Sequence, residues 1–267
     1  MRLRVFTIAA AAVAFGAGSD FPYQPKLVLS VPRAPALVGV GGAALAPPRA
    51  PLSPAESALG ALRAQVRMAS HPDALRLAFQ AYYNYRSAHP REVKPYLYFV
   101  DYGLDSRTPR GYVFDMIALK VVEGPFTVAH GRGSDADADG MPTRFSSRNG
   151  SAASSLGLYL AEGTYAFKGK TGGQSYRSLG LRLRGVSGHF NITAKMRGVV
   201  VHGAPYVTPD KAGRSEGCPA MEESRAERLI PQLENGGLVY LFSPLDATWL
   251  REEPWAHGTG RRMATAD

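Results

Sequence analysis

Cysteine is nearly absent from this sequence: the 267-residue chain contains one, Cys218, so no disulfide bond can form within it. After the first 20 residues, no apolar run approaches the roughly 18 residues of a membrane-spanning helix. The net charge of +9 comes from positive residues scattered along the chain. We therefore predict no membrane span in the mature protein. We also predict no nucleic-acid partner, because nucleic-acid-binding proteins cluster their positive charge on one surface.

Phosphate-binding glycine loops, dinucleotide-binding motifs and sets of metal ligands are also missing. One cysteine and its neighbours cannot supply the ligands of a zinc site. The segment DADADG, residues 135–140, has alternating acidic residues like the first half of a calcium loop, but the twelfth position is Ser146 instead of a glutamate. We predict a solvated acidic loop, no bound metal and no cofactor.

The first nineteen residues have the order of a secretory signal peptide. Arg2 and Arg4 precede a short apolar run, and small residues follow at 16–19. We predict export to the periplasm or the extracellular space; an uncleaved anchor or a buried N-terminal helix is the alternative. An unpaired thiol is a liability in an oxidising compartment, so Cys218 is either buried and inert or retained for its chemistry.

Two helices are predicted after a tether. Residues 20–54 are rich in proline and alanine and show no sustained periodicity, which indicates an extended segment. Ser53 and Pro54 are typical of a helix start, as N-cap and first helical residue. A second helical pattern begins at Pro72. We expect residues 55–92 to form a helical hairpin packed against the domain that follows.

Residues 93–246 have the pattern of a β domain. Runs such as YLYFVDYG, GVVVHG and GLVYLFSP are rich in β-branched and aromatic residues and are separated by glycine-containing turns. Many short strands with few helices predict a mainly β fold, an antiparallel sandwich or barrel with helices at its edge. Residues 247–267 are expected to form a C-terminal tail.

The only thiol lies in the segment GRSEGCPAM. Pro219 suits the first position of a helix, with Glu222 and Glu223 in the opening turn, so we predict a helix directly after Cys218. The partial positive charge of a helix N-terminus would favour the thiolate. Gly217 would let a substrate carbonyl approach main-chain N–H groups. The segment therefore indicates a nucleophilic cysteine.

A cysteine nucleophile needs a base, which is most often a histidine. Two of the six histidines end apolar strand patterns: His202 in GVVVHG and His130 in FTVAHG. His202 precedes the cysteine by 16 residues and is the favoured partner, and His130 is its rival. A satisfied histidine and an inert buried cysteine are the alternative. Papain-like proteases place cysteine before histidine, and sortases have a far longer gap between the two, so neither class fits.

Several separated motifs resemble one known family. HG at 202–203 and GRSEGCPA at 213–220 resemble the L,D-transpeptidase catalytic domain of murein synthesis. So do YFVDYGLDSRTPRGYVFDM, FTVAHGRGS, TRFSSRNGSAASSLGLYLAEGTY and YRSLGLRLRGV, in the same order along the chain. The resemblance covers roughly residues 95–245. It implies an L,D-transpeptidase-like β fold, with a helix after the cysteine, that acts on peptidoglycan stem peptides.

The resemblance also implies a mechanism. The Cys218 thiolate would attack the carbonyl of the third stem residue and expel D-alanine, and His202 would carry the proton. A backbone carbonyl near Gly203 would orient the histidine ring, and N–H groups around Gly217 would hold the oxyanion. An amine acceptor gives a 3–3 crosslink, whereas water makes the enzyme an L,D-carboxypeptidase. A set of polar residues is expected to bind the stem peptide: His130, Arg144, Ser154, Ser155, Tyr206, Arg214 and Ser215.

The cysteine motif departs from the family's usual pattern at two positions. Glu216 stands in place of a histidine, and Ala220 stands in place of an arginine. A carboxylate so close to the sulfur opposes its ionisation unless the side chain turns outward or pairs with Arg214, which is also the candidate for the missing cation. A non-catalytic wall-binding protein on the same fold is therefore a further alternative, and the sequence leaves the oligomeric state open.

Overall fold

The computed structural model describes residues 50–260 of the chain. The predicted signal peptide at 1–19, the predicted tether up to residue 49 and the last residues of the predicted tail, 261–267, lie outside the described residues. Within 50–260, no helix is both long enough and apolar enough to cross a membrane.

The described residues form helices and strands in a mixed order. The helices are α1 (Pro54–Leu62), α2 (Ala74–Ala88), α3 (Glu223–Leu233) and α4 (Ala247–Glu252). The strands are β1 (Tyr96–Asp101), β2 (Gly111–Asp115), β3 (Lys120–Phe126), β4 (His130–Gly131), β5 (Gly157–Thr171), β6 (Gln174–Gly185), β7 (Val200–Gly203), β8 (Arg214–Ser215), β9 (Ala220–Met221) and β10 (Leu238–Phe242).

Eight of these strands form one sheet, in the order β3-β2-β1-β10-β5-β6-β7-β9, while β4 and β8 form a separate pair. Neighbours in the large sheet are antiparallel except for β1 with β10 and β7 with β9, which are parallel. The mainly β, predominantly antiparallel fold predicted from the short strands is confirmed. The last strand pair, β7 with β9, carries the histidine and the cysteine motifs to one edge of the sheet.

The two predicted N-terminal helices form and lie against the sheet. The Ser53 hydroxyl accepts the N–H of Glu56 at 3.2 Å, and the Glu56 carboxylate accepts the N–H of Ser53 at 2.7 Å, so α1 begins with the predicted cap. α2 begins two residues after Pro72. Phe79 of α2 meets Phe114 of β2 edge-on, with ring centroids 5.4 Å apart, and both side chains are fully buried. The helices thus close one face of the core.

The helix after the cysteine begins later than predicted. α3 starts at Glu223 instead of Pro219, because the two residues of β9 pair with His202 and Gly203 of β7. The strand pairing uses backbone groups that a helix would have used, and proline tolerates the extended conformation that leads into it. Cys218 is therefore five residues away from the start of α3. The predicted stabilisation of its thiolate by a helix N-terminus is wrong, since that effect fades within one turn.

Residues 247–260 pack on the domain, so the prediction of a tail is wrong for this part of the chain. Trp249 of α4 is fully buried and Trp255 is 3% exposed. The indole N–H of Trp255 donates to the carbonyl of Val186 at 2.7 Å. These large side chains anchor the C-terminal segment over the loop that joins β6 to β7.

A buried polar network ties this C-terminal segment to the same loop. Glu253 is 1% exposed and accepts hydrogen bonds from the Ser187 hydroxyl and the Ala256 N–H, both at 2.5 Å. Asn191 accepts the N–H of Ser187 at 2.9 Å and donates to the carbonyl of Leu158 at 2.8 Å. Burial raises the pKa of Glu253 from 4.5 to about 7. The loop before β7 is therefore held by a carboxyl group that titrates near neutral pH.

Replacing Glu253 should remove a pH-dependent part of the stability. The folded state binds the Glu253 proton more tightly than the unfolded state, so this contribution is fully present below pH 4.5 and is lost as the pH rises through about 7. The difference of about 2.5 pH units corresponds to about 3 kcal/mol. The free energy of unfolding, measured with urea, should fall in wild type as the pH rises from acid to neutral. The fall should be smaller in Glu253→Gln. Glu252→Gln, an exposed neighbour, is the control; an equal decline in all three proteins contradicts the assignment.

Candidate active site

Two parallel strand pairings hold the loop of residues 216–219, which we call the nucleophile loop. On one side β8 pairs with β4, with Ser215 opposite Gly131. On the other side β9 pairs with β7, with Ala220 opposite His202. Because both ends are fixed in strands, the sequence between them has little freedom, and Cys218 is held beside the start of β7.

Ser215 and Ser154 fix the backbone of the nucleophile loop. The Ser215 hydroxyl accepts the N–H of Gly217 at 3.1 Å and donates to the carbonyl of Cys218 at 2.7 Å. The Ser154 hydroxyl accepts the N–H of Gly131 at 3.0 Å and donates to the carbonyl of Gly217 at 3.3 Å. The predicted oxyanion donor at Gly217 is thus already used within the loop. No acceptor among residues 50–260 takes the N–H of Cys218, so this donor is free of hydrogen bonds within the described residues.

His202 is buried and held in one tautomer. Its Nδ1 lies 2.9 Å from the carbonyl oxygen of Gly203, which can only accept, so Nδ1 carries the proton and Nε2 keeps its lone pair. Phe167 of β5 stacks on the ring, with centroids 4.1 Å apart and an angle of 19°. Burial lowers the pKa of His202 to about 4. At neutral pH the ring is therefore an unprotonated base.

Gly180 of β6 makes room for this stack. It lies between the aromatic residues of β5 and His202 in the sheet, opposite Tyr165 on one side and His202 on the other. A Cβ at this position would come within 2.7 Å of the Tyr165 ring and 3.0 Å of the Phe167 Cβ. The missing side chain lets the β5 rings lie across the strand and cover the histidine.

The thiol of Cys218 points along the segment before β7. Its Sγ lies 3.9 Å from the carbonyl oxygen of Gly198, and no hydrogen bond joins it to His202 in the described residues. Burial raises the pKa of Cys218, whereas an N–H···S contact with Val200 and the charge of Arg197 lower it. The thiol is therefore protonated at rest, and the imidazole of His202 is neutral.

Glu216 turns away from the sulfur and pairs with Arg132, not with Arg214. The Arg132 Nε lies 2.7 Å from the Glu216 carboxylate, and both side chains are more than half exposed. The charge of Glu216 still raises the pKa of Cys218, in the direction predicted from the sequence. Of the two arrangements considered from the sequence, the outward-turned side chain is present and the pairing with Arg214 is not, because the Arg214 guanidinium donates to the carbonyl of Asp135 at 3.4 Å.

Arg197 is a site residue that the sequence did not reveal. Its guanidinium donates to the carbonyl oxygens of Ser146 and Ala153, at 2.9 and 2.6 Å, and lies beside Gly217 of the nucleophile loop. Arg197 stands five residues before His202 in the chain, but its contacts lie more than 40 residues away in sequence. A contact between residues so far apart in the sequence cannot be predicted from their spacing.

His130 is part of the support under the nucleophile loop. It is fully buried, with Nδ1 2.8 Å from Nη2 of the buried Arg110 and Nε2 3.4 Å from the carboxylate of Asp135. Burial, together with the charge of Arg110, lowers the pKa of His130 to about 4. Since Arg110 can only donate, Nδ1 must accept and the Nε2 proton faces Asp135. Both ring nitrogens are engaged, so His130 has no free lone pair with which to serve as a base.

The acidic loop that resembles half of a calcium site is organised by hydrogen bonds. Asp135 is 2% exposed, and its carboxylate accepts the N–H groups of Asp139 and Gly140 at 3.2 and 3.1 Å. Asp137 and Asp139 are exposed, as predicted for a solvated loop, but the burial of Asp135 was not predicted. Residues 50–260 contain no group of three His, Cys, Asp or Glu side chains that could hold a metal ion.

The remaining predicted substrate contacts divide by exposure. Ser154 is fully buried and Ser155 is 1% exposed, with its hydroxyl 2.8 Å from that of Tyr159, so neither reaches substrate in this conformation. Tyr206 is half-buried and meets Tyr176 edge-on at 6.2 Å, beside His202. The other two predicted substrate contacts, Arg144 and Arg214, are exposed.

A groove of about 260 Å³ adjoins the nucleophile. Gly198, whose carbonyl faces the thiol, and Val200 lie along one side, and Tyr165 and Arg182 lie along the other. The Arg182 guanidinium lies 4.3 Å above the Tyr165 ring and donates to the carbonyl of Thr164 at 3.1 Å. Arg182 forms no ion pair with another described residue, so its remaining N–H groups are available to a carboxylate.

Solved structures with a similar chain are L,D-transpeptidases. The enzyme from Mycobacterium smegmatis is 15% identical, with 55% of this chain and 58% of that chain covered and a TM-score of 0.34. L,D-transpeptidase 3 from Mycobacterium tuberculosis is 14% identical, with 55% and 61% covered and a TM-score of 0.33. The enzyme from Stackebrandtia nassauensis is 18% identical, with 64% and 66% covered and a TM-score of 0.33. This chain therefore spans about half to two thirds of those proteins.

No curated protein matches the sequence. The sequence model of one protein family does match, and the description of that family is the L,D-transpeptidase catalytic domain. The match runs from residue 67 to residue 242, which is well over half of the chain and includes both the strand that carries His202 and the nucleophile loop. The chain belongs to the L,D-transpeptidase catalytic domain family.

Proposed function

We propose that this protein is a peptidoglycan L,D-transpeptidase with Cys218 as the nucleophile and His202 as the base. The observation that supports the proposal is the parallel pairing of β7 with β9, in which His202 lies opposite Ala220, two residues after Cys218. The substrate is a stem tetrapeptide. The predicted signal peptide would bring the enzyme to the compartment where that substrate lies.

Acylation begins with attack of the Cys218 sulfur on the carbonyl carbon of the third stem residue. The thiol proton passes to Nε2 of His202, which is neutral and has its lone pair free. The N–H of Cys218 stabilises the oxygen that becomes negative. Collapse of the tetrahedral intermediate breaks the peptide bond, and D-alanine leaves as an amine with the proton from His202. A thioester remains on the enzyme.

Burial acts in opposite ways on the two proton transfers. It lowers the pKa of His202 to about 4 and raises that of Cys218, so transfer from the thiol to the imidazole is uphill, whereas the imidazolium returns its proton readily to the leaving amine. The Gly203 carbonyl holds Nδ1–H throughout, so the ring does not rotate between the two steps. The Cys218 side chain must turn from the Gly198 carbonyl toward His202 for the reaction to begin.

The second half-reaction resolves the thioester. The side-chain amine of a neighbouring stem peptide attacks the thioester carbonyl, a 3–3 crosslink forms, and the departing sulfur regains a proton through His202. Water in place of the amine would make the enzyme an L,D-carboxypeptidase. The acyl-enzyme is the same in both reactions.

A non-catalytic wall-binding protein is the second candidate. The observation in its favour is the direction of the Cys218 thiol, which contacts the Gly198 carbonyl and not His202. Catalytic hydrogen bonds are often loose before substrate binds, and the neutral His202 lies opposite Ala220, two residues after Cys218, so we favour the enzyme.

Removal of the nucleophile or the base should abolish or strongly slow turnover. We expect Cys218→Ala to release no D-alanine from a disaccharide tetrapeptide, and His202→Gln to slow release at least about 100-fold, because proton transfer is lost. D-alanine and crosslinked products are measured by liquid chromatography with mass spectrometry. His189→Gln, an exposed histidine, is the control. Release by Cys218→Ala contradicts the assignment, and binding without release by wild type supports the wall-binding candidate.

Ser154 should act on the position of the nucleophile and not on substrate affinity. Ser154→Ala leaves the buried Gly131 N–H and Gly217 carbonyl without their partner, which should cost about 1–3 kcal/mol of unfolding free energy. We expect a lower kcat with an unchanged KM, and a lower Tm by thermal unfolding. Ser224→Ala, at an exposed position on α3, serves as the matched control. A higher KM with an unchanged Tm would restore the direct substrate contact predicted from the sequence.

Arg182 should bind a stem-peptide carboxylate in the groove. Arg182→Gln is expected to raise the KM for the tetrapeptide about fivefold, since an exposed charged hydrogen bond contributes about 1 kcal/mol. The kcat should change little, because Arg182 does not touch the thiol or His202. Arg251→Gln on α4 is the charge-matched control. An unchanged KM rules out the groove as the carboxylate site.

A further inference from the structure

Arg197 has hydrogen-bond partners but no counter-ion. Its Nη1 donates to the Ser146 carbonyl at 2.9 Å and lies 3.4 Å from the Ser155 hydroxyl. Its Nη2 donates to the Ala153 carbonyl at 2.6 Å and lies 3.3 Å from the Ser151 hydroxyl. All four partners are neutral, and no ion pair between described residues includes Arg197. A half-buried cation without an anion is costly, unless an anion forms beside it.

The guanidinium lies against the nucleophile loop. A Cβ at Gly217 would come within 3.3 Å of the Arg197 Nη2 and within 3.0 Å of the Ala153 carbonyl. Gly217 has a φ of 123°, which side chains rarely adopt, so both the backbone and the close approach require glycine. Gly198, which follows Arg197 in the chain, contacts the Cys218 sulfur through its carbonyl oxygen. Arg197 therefore borders the loop from the same segment that contacts the thiol.

The other ionisable groups around the sulfur supply no positive charge at neutral pH. Glu216 is negative and paired with Arg132. His202 is neutral, since burial lowers its pKa to about 4. The phenols whose charge would act on the sulfur also stay neutral, because burial raises their pKa values: Tyr102, Tyr159, Tyr165, Tyr176 and Tyr206. Arg197 is the cation whose charge lowers the pKa of Cys218.

We propose that Arg197 is the counter-cation of the Cys218 thiolate, which its position against Gly217 allows it to stabilise without a direct bond to the substrate. The inference builds on Cys218 as the nucleophile of the proposed function. When the thiol proton moves to His202, the sulfur becomes negative beside a fixed positive charge. When the thioester is cleaved, the sulfur leaves as an anion into the same field. The arginine that the cysteine motif lacks at Ala220 is thus replaced from a different part of the chain.

The test measures the ionisation of the thiol without any peptide. Rates of Cys218 alkylation by iodoacetamide are measured against pH in the full-length protein and in Arg197→Gln. We expect Arg197→Gln to raise the apparent pKa of the thiol by about one unit and to slow alkylation at neutral pH about tenfold. The rate at high pH, where every thiol is ionised, should be unchanged.

Two further variants separate charge from architecture. Arg197→Lys keeps the positive charge but loses the planar guanidinium with its paired N–H donors. We expect the pKa of its Cys218 thiol to stay close to that of wild type. Arg148→Gln removes an exposed arginine from the neighbouring loop and should alkylate like wild type. An unshifted pKa in Arg197→Gln overturns the proposal. The proposal is also overturned if Arg197→Lys has the same thiol pKa as Arg197→Gln together with a lower Tm. Arg197 would then only support residues 146–155.

A second neutral variant, Arg197→Met, covers the case in which Arg197→Gln does not fold, since methionine keeps an unbranched apolar side chain without the charge. The apparent pKa of Cys218 should rise by about one unit in Arg197→Met. An unshifted pKa in this variant overturns the proposal. Since alkylation needs no stem peptide, a protein that releases no D-alanine but shows these shifts would contradict the proposed function and leave the role of Arg197 intact.

Discussion

The parallel pairing of β7 with β9 is the interaction on which the site depends. It places His202 opposite Ala220, and so fixes the distance along the sheet edge between the base and the loop that carries Cys218. The pairing of β8 with β4 holds the other end of that loop. A parallel pair of two residues is weak by itself. Its stability comes from the buried side chains beneath it and from Ser154 and Ser215, which take up the polar groups of the loop backbone.

The chemistry of the site follows from burial. Removal from water keeps the imidazole unprotonated and the thiol protonated, so the resting pair carries no charge. A neutral pair avoids the cost of burying two ions, but charge must then appear during the reaction. In the proposed mechanism two groups meet that charge: the N–H of Cys218 stabilises the oxyanion, and the guanidinium of Arg197, which has no counter-ion among the described residues, stabilises the sulfur. Glu216 opposes the same charge, and its pairing with Arg132 directs it outward.

Local patterns predicted the features that local interactions determine. The cap at Ser53 and the strand that carries His202 could be identified because each depends on neighbouring residues. The start of α3 could not, since Pro219 and the glutamates after it suit a helix, and only pairing with a distant strand decides otherwise. Arg197 was missed for the same reason, because its contacts cross more than 40 residues. The burial of Ser154 likewise depends on tertiary packing, which cannot be predicted from the residue type alone.

The central claim is that Cys218 is acylated by the stem peptide, and intact-mass spectrometry tests it most directly. Wild type and Cys218→Ala are mixed briefly with a disaccharide tetrapeptide, quenched in acid and weighed, and any adduct is located by proteolysis. We predict an adduct with the mass of the disaccharide-tripeptide acyl group on the peptide that contains residue 218, in wild type alone. An adduct elsewhere in the chain, or none in a folded protein that releases D-alanine, would contradict the account.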